Sequence, residues 1–162
     1  MSGNGAARVG GAFEGYASVF GREDQGRDVV MPGAFRRALA RRGAAGIRML
    51  WHHDPREPIG VWTAIAEDAR GLLARGRLVL EVGRGREALA LIRAGAVDGL
   101  SIGFRTVRSR TDARTGVRQL LELDLWEISL VTFPMNDAAR ISEAKDAGLA
   151  DALRRAARGM RG

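Results

Sequence analysis

The sequence predicts an α+β protein, a mostly antiparallel β-barrel surrounded by helices. Short stretches of alternating apolar and polar residues recur along the chain and indicate about six or seven strands. Turn-forming Gly, Pro and Asp residues separate these stretches, and helical spacing appears in only three segments. The 162 residues suit one domain, which at this length buries roughly 70% of its unfolded surface.

The first third of the chain supplies two strands and a helix. Residues 1–11 are small and polar, which is typical of a loose N-terminal arm, and residues 12–20 alternate as a strand. A helix starts at Pro32 and ends at Gly43. Residues 47–53 have strand character, and the Asp-Pro pair that follows them predicts a turn.

The middle of the chain predicts a hairpin, a helix and a further strand. Residues 59–66 and 72–80 read as paired strands across a polar turn, and residues 84–94 have amphipathic helical spacing. In the next stretch, large apolar residues alternate with Ser101 and Gly103. We expect the apolar side chains to face the core and Ser101 to face the other way, beside a glycine that leaves room for a substrate backbone.

The last part of the chain predicts a long strand and a terminal helix. Residues 109–116 form a polar loop, and residues 117–133 are too long for one straight strand, so we expect a bulge near Asp124. Residues 142–158 have the spacing of a helix. The predicted organisation is an arm at 1–11, a domain at 12–140 and a C-terminal helix or tail at 141–162.

Composition excludes several kinds of site. The chain has no cysteine, which excludes disulfides, thiolate nucleophiles and cysteine-bound zinc. It has no apolar run long enough for a membrane span and no signal-peptide core, which predicts a protein that works inside a cell. The net charge of +7 would suit a polyanion, but 25 of the 26 basic residues are Arg, which fits a GC-rich codon bias equally well.

Three residue types in the chain could form a serine hydrolase site. His52 and His53 are the only histidines, so a histidine base must be one of them. Glu127 lies in an apolar stretch, where a carboxylate needs a partner. A histidine held by such a carboxylate and turned towards Ser101 is the arrangement that activates a serine nucleophile.

Other readings of these residues stay open at this point. The remaining candidate nucleophiles include Ser18, Ser109 and Ser129. Glu127 could form a structural ion pair with an arginine, and the histidines could stabilise the turn at Asp54. Adjacent histidines in a strand point to opposite faces, which disfavours a metal site, and we predict neither a metal nor a cofactor.

Five motifs give the sequence a more specific resemblance. The chain from about residue 11 to residue 144 resembles the prohead proteases of tailed bacteriophages, which are related in fold to the herpesvirus assemblins. The motifs occur in the family's order and are FEGYASVFG, DVVMPGAFRRAL, LWHHDPREPIG, GAVDGLSIGF and LWEISLVTFPMN.

The resemblance implies a capsid-maturation serine protease with a herpesvirus-protease-like barrel. It places the nucleophile at Ser101, the base at His53 and the third member of the triad at Glu127. Regular strand alternation would put Asp124 on the opposite face from Glu127, and Asp54 would point away from His53.

The resemblance also implies the partner and the place of action. The expected substrate is the scaffolding segment of the major capsid protein, with the protease itself as a second substrate, inside the immature capsid in the bacterial cytoplasm. It leaves self-association open and implies no membrane. The alternatives are a non-catalytic capsid module on the same fold and, with less support, a basic nucleic-acid-binding domain, which the single tyrosine disfavours.

Overall fold

A computed structural model describes residues 10–144, which form one continuous eight-stranded sheet with helices outside it. The helices are α1 (Arg36–Arg42) and α2 (Gly83–Arg93), and a short 3₁₀ turn covers Ala44–Gly46. The strands are β1 (Ala12–Val19), β2 (Asp28–Val30), β3 (Arg48–Trp51), β4 (Asp54–Glu67), β5 (Gly71–Leu78), β6 (Gly99–Thr111), β7 (Arg118–Val131) and β8 (Ile141–Ala144).

Strand β7 pairs with three other strands, β2, β3 and β6. The strands follow the order β2-β7-β3-β4-β5-β1-β8, and β6 pairs along β7 in addition. Strands β2 and β3 run parallel to different parts of β7, whereas the other pairs are antiparallel. The sheet curls round far enough for Gly99, at the start of β6, to bridge to Arg140, just before β8. The predicted α+β class, a mostly antiparallel barrel with external helices, is confirmed.

The core fills the inside of this curled sheet. Phe13 packs edge-on against Trp62 with ring centroids 5.4 Å apart, and Phe35 at the start of α1 stacks on Phe20. Fully buried Leu and Ile side chains from β6 and β7 complete it, namely Leu100, Leu120, Leu123, Leu125, Ile128 and Leu130.

The bulge expected in the long strand is present, two residues after Asp124. Gly103 of β6 pairs with Glu127 of β7, but the next residue, Phe104, pairs with Leu125, so Trp126 is an extra residue. The bulge changes the alternation of side chains on β7, and it lies immediately beside the predicted carboxylate.

Several predicted elements differ from the structure, most of all at the histidines and at the C-terminal end. The strand predicted at 47–53 ends at Trp51, and the two histidines form a turn. The helix predicted at 142–158 is wrong for its first residues, because Ile141–Ala144 pair with β1 as a strand. Residues 145–158 of that helix, and residues 1–9 of the predicted arm, lie outside the described residues.

No helix within residues 10–144 combines the length and the apolar character that crossing a membrane requires.

Glu67 attaches the start of α1 to the end of β4. Its Oε1 accepts the backbone N–H groups of Gly33 and Phe35 at 3.1 and 3.2 Å. Since both donors precede the first helical turn, the carboxylate performs the role of a cap supplied from another strand.

We predict that Glu67→Ala destabilises the fold by about 1–3 kcal/mol, because two backbone donors lose a charged acceptor. Urea unfolding monitored by circular dichroism measures this change. The control is Glu81→Ala, which removes an exposed carboxylate between β5 and α2 and should stay within about 0.5 kcal/mol of the parent. Equal stability of the two variants would contradict the capping role.

Candidate active site

The two histidines occupy a left-handed turn between β3 and β4. Their φ angles are 49° for His52 and 60° for His53, a conformation that few non-glycine residues adopt. The turn is attached to β7 by two hydrogen bonds: the His52 N–H donates to the Leu130 carbonyl at 2.9 Å, and the His53 N–H donates to Ser129 Oγ at 3.0 Å. The parallel pairing of β3 with β7 therefore brings His53 level with Ser129, near the C-terminal end of β7.

Glu127 is a buried carboxylate with both oxygens occupied. Its Oε1 accepts the ring Nδ1–H of His53, and its Oε2 accepts the hydroxyl of Ser129 at 2.6 Å. The Glu127 side chain is only 6% exposed, so these bonds replace the water that an ionised carboxylate would otherwise need. The predicted His53–Glu127 contact is therefore present in the structure. A neutral His53 that donates from Nδ1 carries its lone pair on Nε2.

Gly103 makes room for this carboxylate. It lies opposite Glu127 across the β6–β7 pair, and a Cβ added at Gly103 would stand 2.2 Å from Glu127 Oε1. The sequence interpretation, that Gly103 leaves an empty space for substrate, is wrong. Because Gly103 has no side chain, the space beside it is occupied by Glu127.

Ser101 lies on the same face of the sheet as Glu127. It pairs directly with Ser129, which hydrogen-bonds Glu127, and directly paired residues of antiparallel strands share a face. Ser101 is 6% exposed and lines a cavity of about 110 Å³ whose other walls include Ser18 and Asn136. Both Ser101 and His53 are among the described residues, and no hydrogen bond joins their side chains.

His53 lines a separate and wider cavity of about 700 Å³. The His53 side chain is 41% exposed, so solvent and larger molecules can reach it from this cavity. The other walls are formed by Glu127, by two arginines and by apolar residues, namely Arg42, Arg48, Leu50, Pro55, Pro58 and Trp126.

His52 has different neighbours from His53. Its ring packs edge-on against Trp51 with centroids 4.6 Å apart, and the Arg84 guanidinium lies 5.5 Å from the centroid of the same Trp51 ring. Partial burial lowers the pKa of His52, and the nearby His53 and Arg84 act in the same direction. Since Glu127 hydrogen-bonds His53 and not His52, the carboxylate distinguishes the two imidazoles.

The competing carboxylates have other partners. Asp124 is held by Arg41 and Arg42 of α1. Burial alone would raise the pKa of Asp124, but the two guanidinium groups outweigh it and hold that pKa below its usual range. Regular alternation would have put Asp124 on the opposite face from Glu127, but the bulge at Trp126 changes the alternation, so this argument fails. Asp124 is kept from His53 by its ion pairs with Arg41 and Arg42.

Asp54, the residue after His53, turns to Arg56. Its Oδ1 accepts both the backbone N–H and the Nε–H of that arginine, which lowers the pKa of Asp54. In the described range, 10–144, no three metal-binding side chains cluster together.

Ser129 is the site residue that sequence reasoning did not assign to this role. It appeared only as one of several candidate nucleophiles, although its spacing of two residues from Glu127 placed both on one face of a strand. Its bond to the His53 backbone depends on a turn in another part of the chain, for which the sequence carried no signal.

Comparison with known proteins places this chain in a family. The profile of the caudovirus prohead serine protease family matches residues 3–152. The prohead protease of Enterobacteria phage HK97 is 37% identical over 83% of this chain, and that of Escherichia phage T5 is 29% identical over 60%. The chain spans 60% and 45% of the lengths of these two relatives.

A solved structure agrees with the fold. The capsid assembly protease of bacteriophage T4 superposes with a TM-score of 0.53 at 19% identity, over 74% of this chain and 80% of that one. Because the family profile covers most of the sequence, from the arm to beyond β8, the chain belongs to the caudovirus prohead serine protease family.

Proposed function

We propose that this protein is a serine endopeptidase that cleaves the scaffolding segment of the major capsid protein, and itself, inside the immature capsid. The observation that carries the proposal is the hydrogen bond from His53 to the buried Glu127, on the sheet face that also carries Ser101. Family membership and the phage relatives support the same activity. The place of action is the prohead interior within the bacterial host.

In the proposed mechanism, Ser101 is the nucleophile and His53 the general base. Ser101 Oγ attacks the peptide carbonyl carbon while its proton passes to His53 Nε2. The C–N bond then breaks, and the same proton leaves with the amine. Water repeats the sequence on the acyl-enzyme and releases the acid. Glu127 remains ionised throughout, holds the Nδ1–H tautomer and stabilises the imidazolium.

This mechanism requires Ser101 and His53 to approach each other when substrate is bound. Catalytic hydrogen bonds are commonly long in free enzymes and tighten in the substrate complex. The histidine is half exposed and lies on a turn, so a small movement of its ring does not disturb the core.

An extended substrate can reach Ser101 along β6. In the described residues the other edge of β6 is paired only at its start, where Gly99 bridges to Arg140 and the Leu100 N–H donates to the Ala139 carbonyl at 2.9 Å, so this edge is unpaired from Ile102 onward. An extended peptide can pair with a free strand edge through main-chain hydrogen bonds. That arrangement suits cleavage within an extended segment of a larger protein.

We expect Ser101→Ala to abolish cleavage and leave the fold intact, because it removes the proposed nucleophile, a hydroxyl that no side chain within residues 10–144 hydrogen-bonds. The measurement is the length of the capsid protein after co-expression, and the cleaved junction is identified by mass spectrometry. Ser109→Ala is the matched control, an exposed serine on the same strand. Mature-length capsid protein in the presence of the Ser101→Ala variant would reject Ser101 as the nucleophile.

We expect His53→Gln to be inactive and His52→Gln to retain activity, because only the His53 ring contacts Glu127. The same co-expression assay compares them. The contradictory result is an active His53→Gln variant beside an inactive His52→Gln variant.

We expect Gly103→Ala to reduce the cleavage rate by about 10²-fold, because the new methyl group displaces the carboxylate that orients His53. We also expect the rate to fall in Glu127→Gln, which keeps the shape of the side chain and removes its charge. Gly83→Ala is the matched control, since a Cβ there meets only ordinary contacts at the start of α2. Wild-type rates in Gly103→Ala would show that Glu127 does not need its observed position.

A further inference from the structure

Ser129 links the carboxylate of Glu127 to the turn that carries His53, the proposed base. Among residues 10–144 it is the one side chain that hydrogen-bonds both Glu127 and the backbone of His53. We infer that Ser129 is a positioning residue that fixes the carboxylate of Glu127 and the His53 turn in their working geometry. This inference rests on the proposed function, since it assigns Ser129 a part in the same reaction.

The two bonds determine the direction of the hydroxyl proton. A serine hydroxyl carries one donor and two acceptor lone pairs. Because Ser129 Oγ accepts the His53 N–H at 3.0 Å, its own proton is directed to Glu127 Oε2 at 2.6 Å. One carboxylate oxygen is therefore occupied by Ser129, and the other is left for the ring of His53.

Ser129 also supports the conformation of the histidine turn. His53 lies in the left-handed region, which is unfavourable for a residue with a side chain and persists only where the surroundings hold it. The N–H of His53 has Ser129 Oγ as its acceptor. Removing the hydroxyl thus removes a support of the turn and a support of the carboxylate in one step.

Ser129 and the proposed nucleophile Ser101 differ in their surroundings. Ser129 is 0% exposed, between Leu50 of β3 and Ser101 of β6, and its hydroxyl donates one hydrogen bond and accepts another. Ser101 lines a cavity and hydrogen-bonds no described side chain. A substrate carbonyl can approach Ser101 from its cavity, whereas Ser129 has no exposed surface.

The test compares Ser129→Ala with Ser142→Ala in cleavage of a peptide that spans the junction found with the parent protein. Ser142 is the control, because its hydroxyl donates one hydrogen bond, to the Glu14 carbonyl of β1, as Ser129 donates one to Glu127, but it contacts neither Glu127 nor His53. We expect kcat to fall by about 10²-fold in Ser129→Ala with KM unchanged, since a positioning residue acts on the reacting geometry and not on substrate binding. Ser142→Ala should keep both values.

A second measurement follows the His53–Glu127 hydrogen bond directly. The chain has two histidines, so ¹⁵N-histidine labelling gives few ring signals, and His52→Gln assigns them. We expect the ring N–H proton shared with Glu127 to exchange faster with water in Ser129→Ala than in the parent. A merely structural serine would leave this signal unchanged in a folded variant.

The outcomes separate failure of this inference from failure of the proposed function. A fluorophosphonate probe, which reacts with activated serines, should label Ser101 in the parent and label it more slowly in Ser129→Ala. Wild-type kcat and an unchanged ring signal in Ser129→Ala, with Ser101→Ala inactive, would overturn the inference alone. Labelling of Ser129 itself would overturn it together with the assignment of Ser101.

Ser129→Cys keeps the test decisive if Ser129→Ala loses its fold. Cysteine has a similar size but is a weak donor and acceptor. A folded Ser129→Cys variant with reduced kcat, unchanged KM and faster ring N–H exchange supports the positioning role. The same variant with wild-type kcat and an unchanged ring signal contradicts it.

Discussion

The buried carboxylate of Glu127 is the constraint on which the candidate site depends. An ionised carboxylate away from water is costly unless its oxygens are hydrogen-bonded. Here one oxygen is bonded to the His53 ring and the other to the Ser129 hydroxyl, and the space for the side chain exists because position 103 is glycine. These requirements link a turn after β3 to neighbouring positions on β6 and β7. A change at any one of them alters the environment of the base.

Strand β7 makes this arrangement possible because three strands pair with it. Its parallel pairing with β3 carries the histidine turn to the level of Ser129, and its antiparallel pairing with β6 places Ser101 opposite the same residue. The bulge at Trp126 allows a long strand to serve both neighbours. Acidic residues on β7 also attach helix α1, through Arg37 to Glu122 and through Arg41 and Arg42 to Asp124. Part of the excess arginine in the sequence therefore has a structural use.

The histidine turn shows how adjacent residues of one type come to differ. Both are in the left-handed region, which costs about 1–3 kcal/mol per residue, and both N–H groups are bonded to β7. The turn directs His53 to the carboxylate and leaves His52 against Trp51. The expectation that only one of them faces a given site is therefore correct, although the strand geometry that suggested it is wrong.

The sequence by itself determined the fold class and most of the elements, because alternation, helical spacing and turn residues such as Gly43 are local signals that do not depend on the rest of the chain. The family followed from the resemblance of five short motifs that occur in the family's order. The sequence also indicated His53, Ser101 and Glu127, and the structure joins the first and last of these by a hydrogen bond. Only the tertiary structure decided the rest. The partners of Asp124, the use of Gly103 and the bonds of Ser129 arise from the register of β6, β7 and β3, and register depends on bulges and long-range pairing that no local pattern records. Residues 142–144 demonstrate the same limit, since a stretch with helical spacing becomes a strand when it pairs with β1.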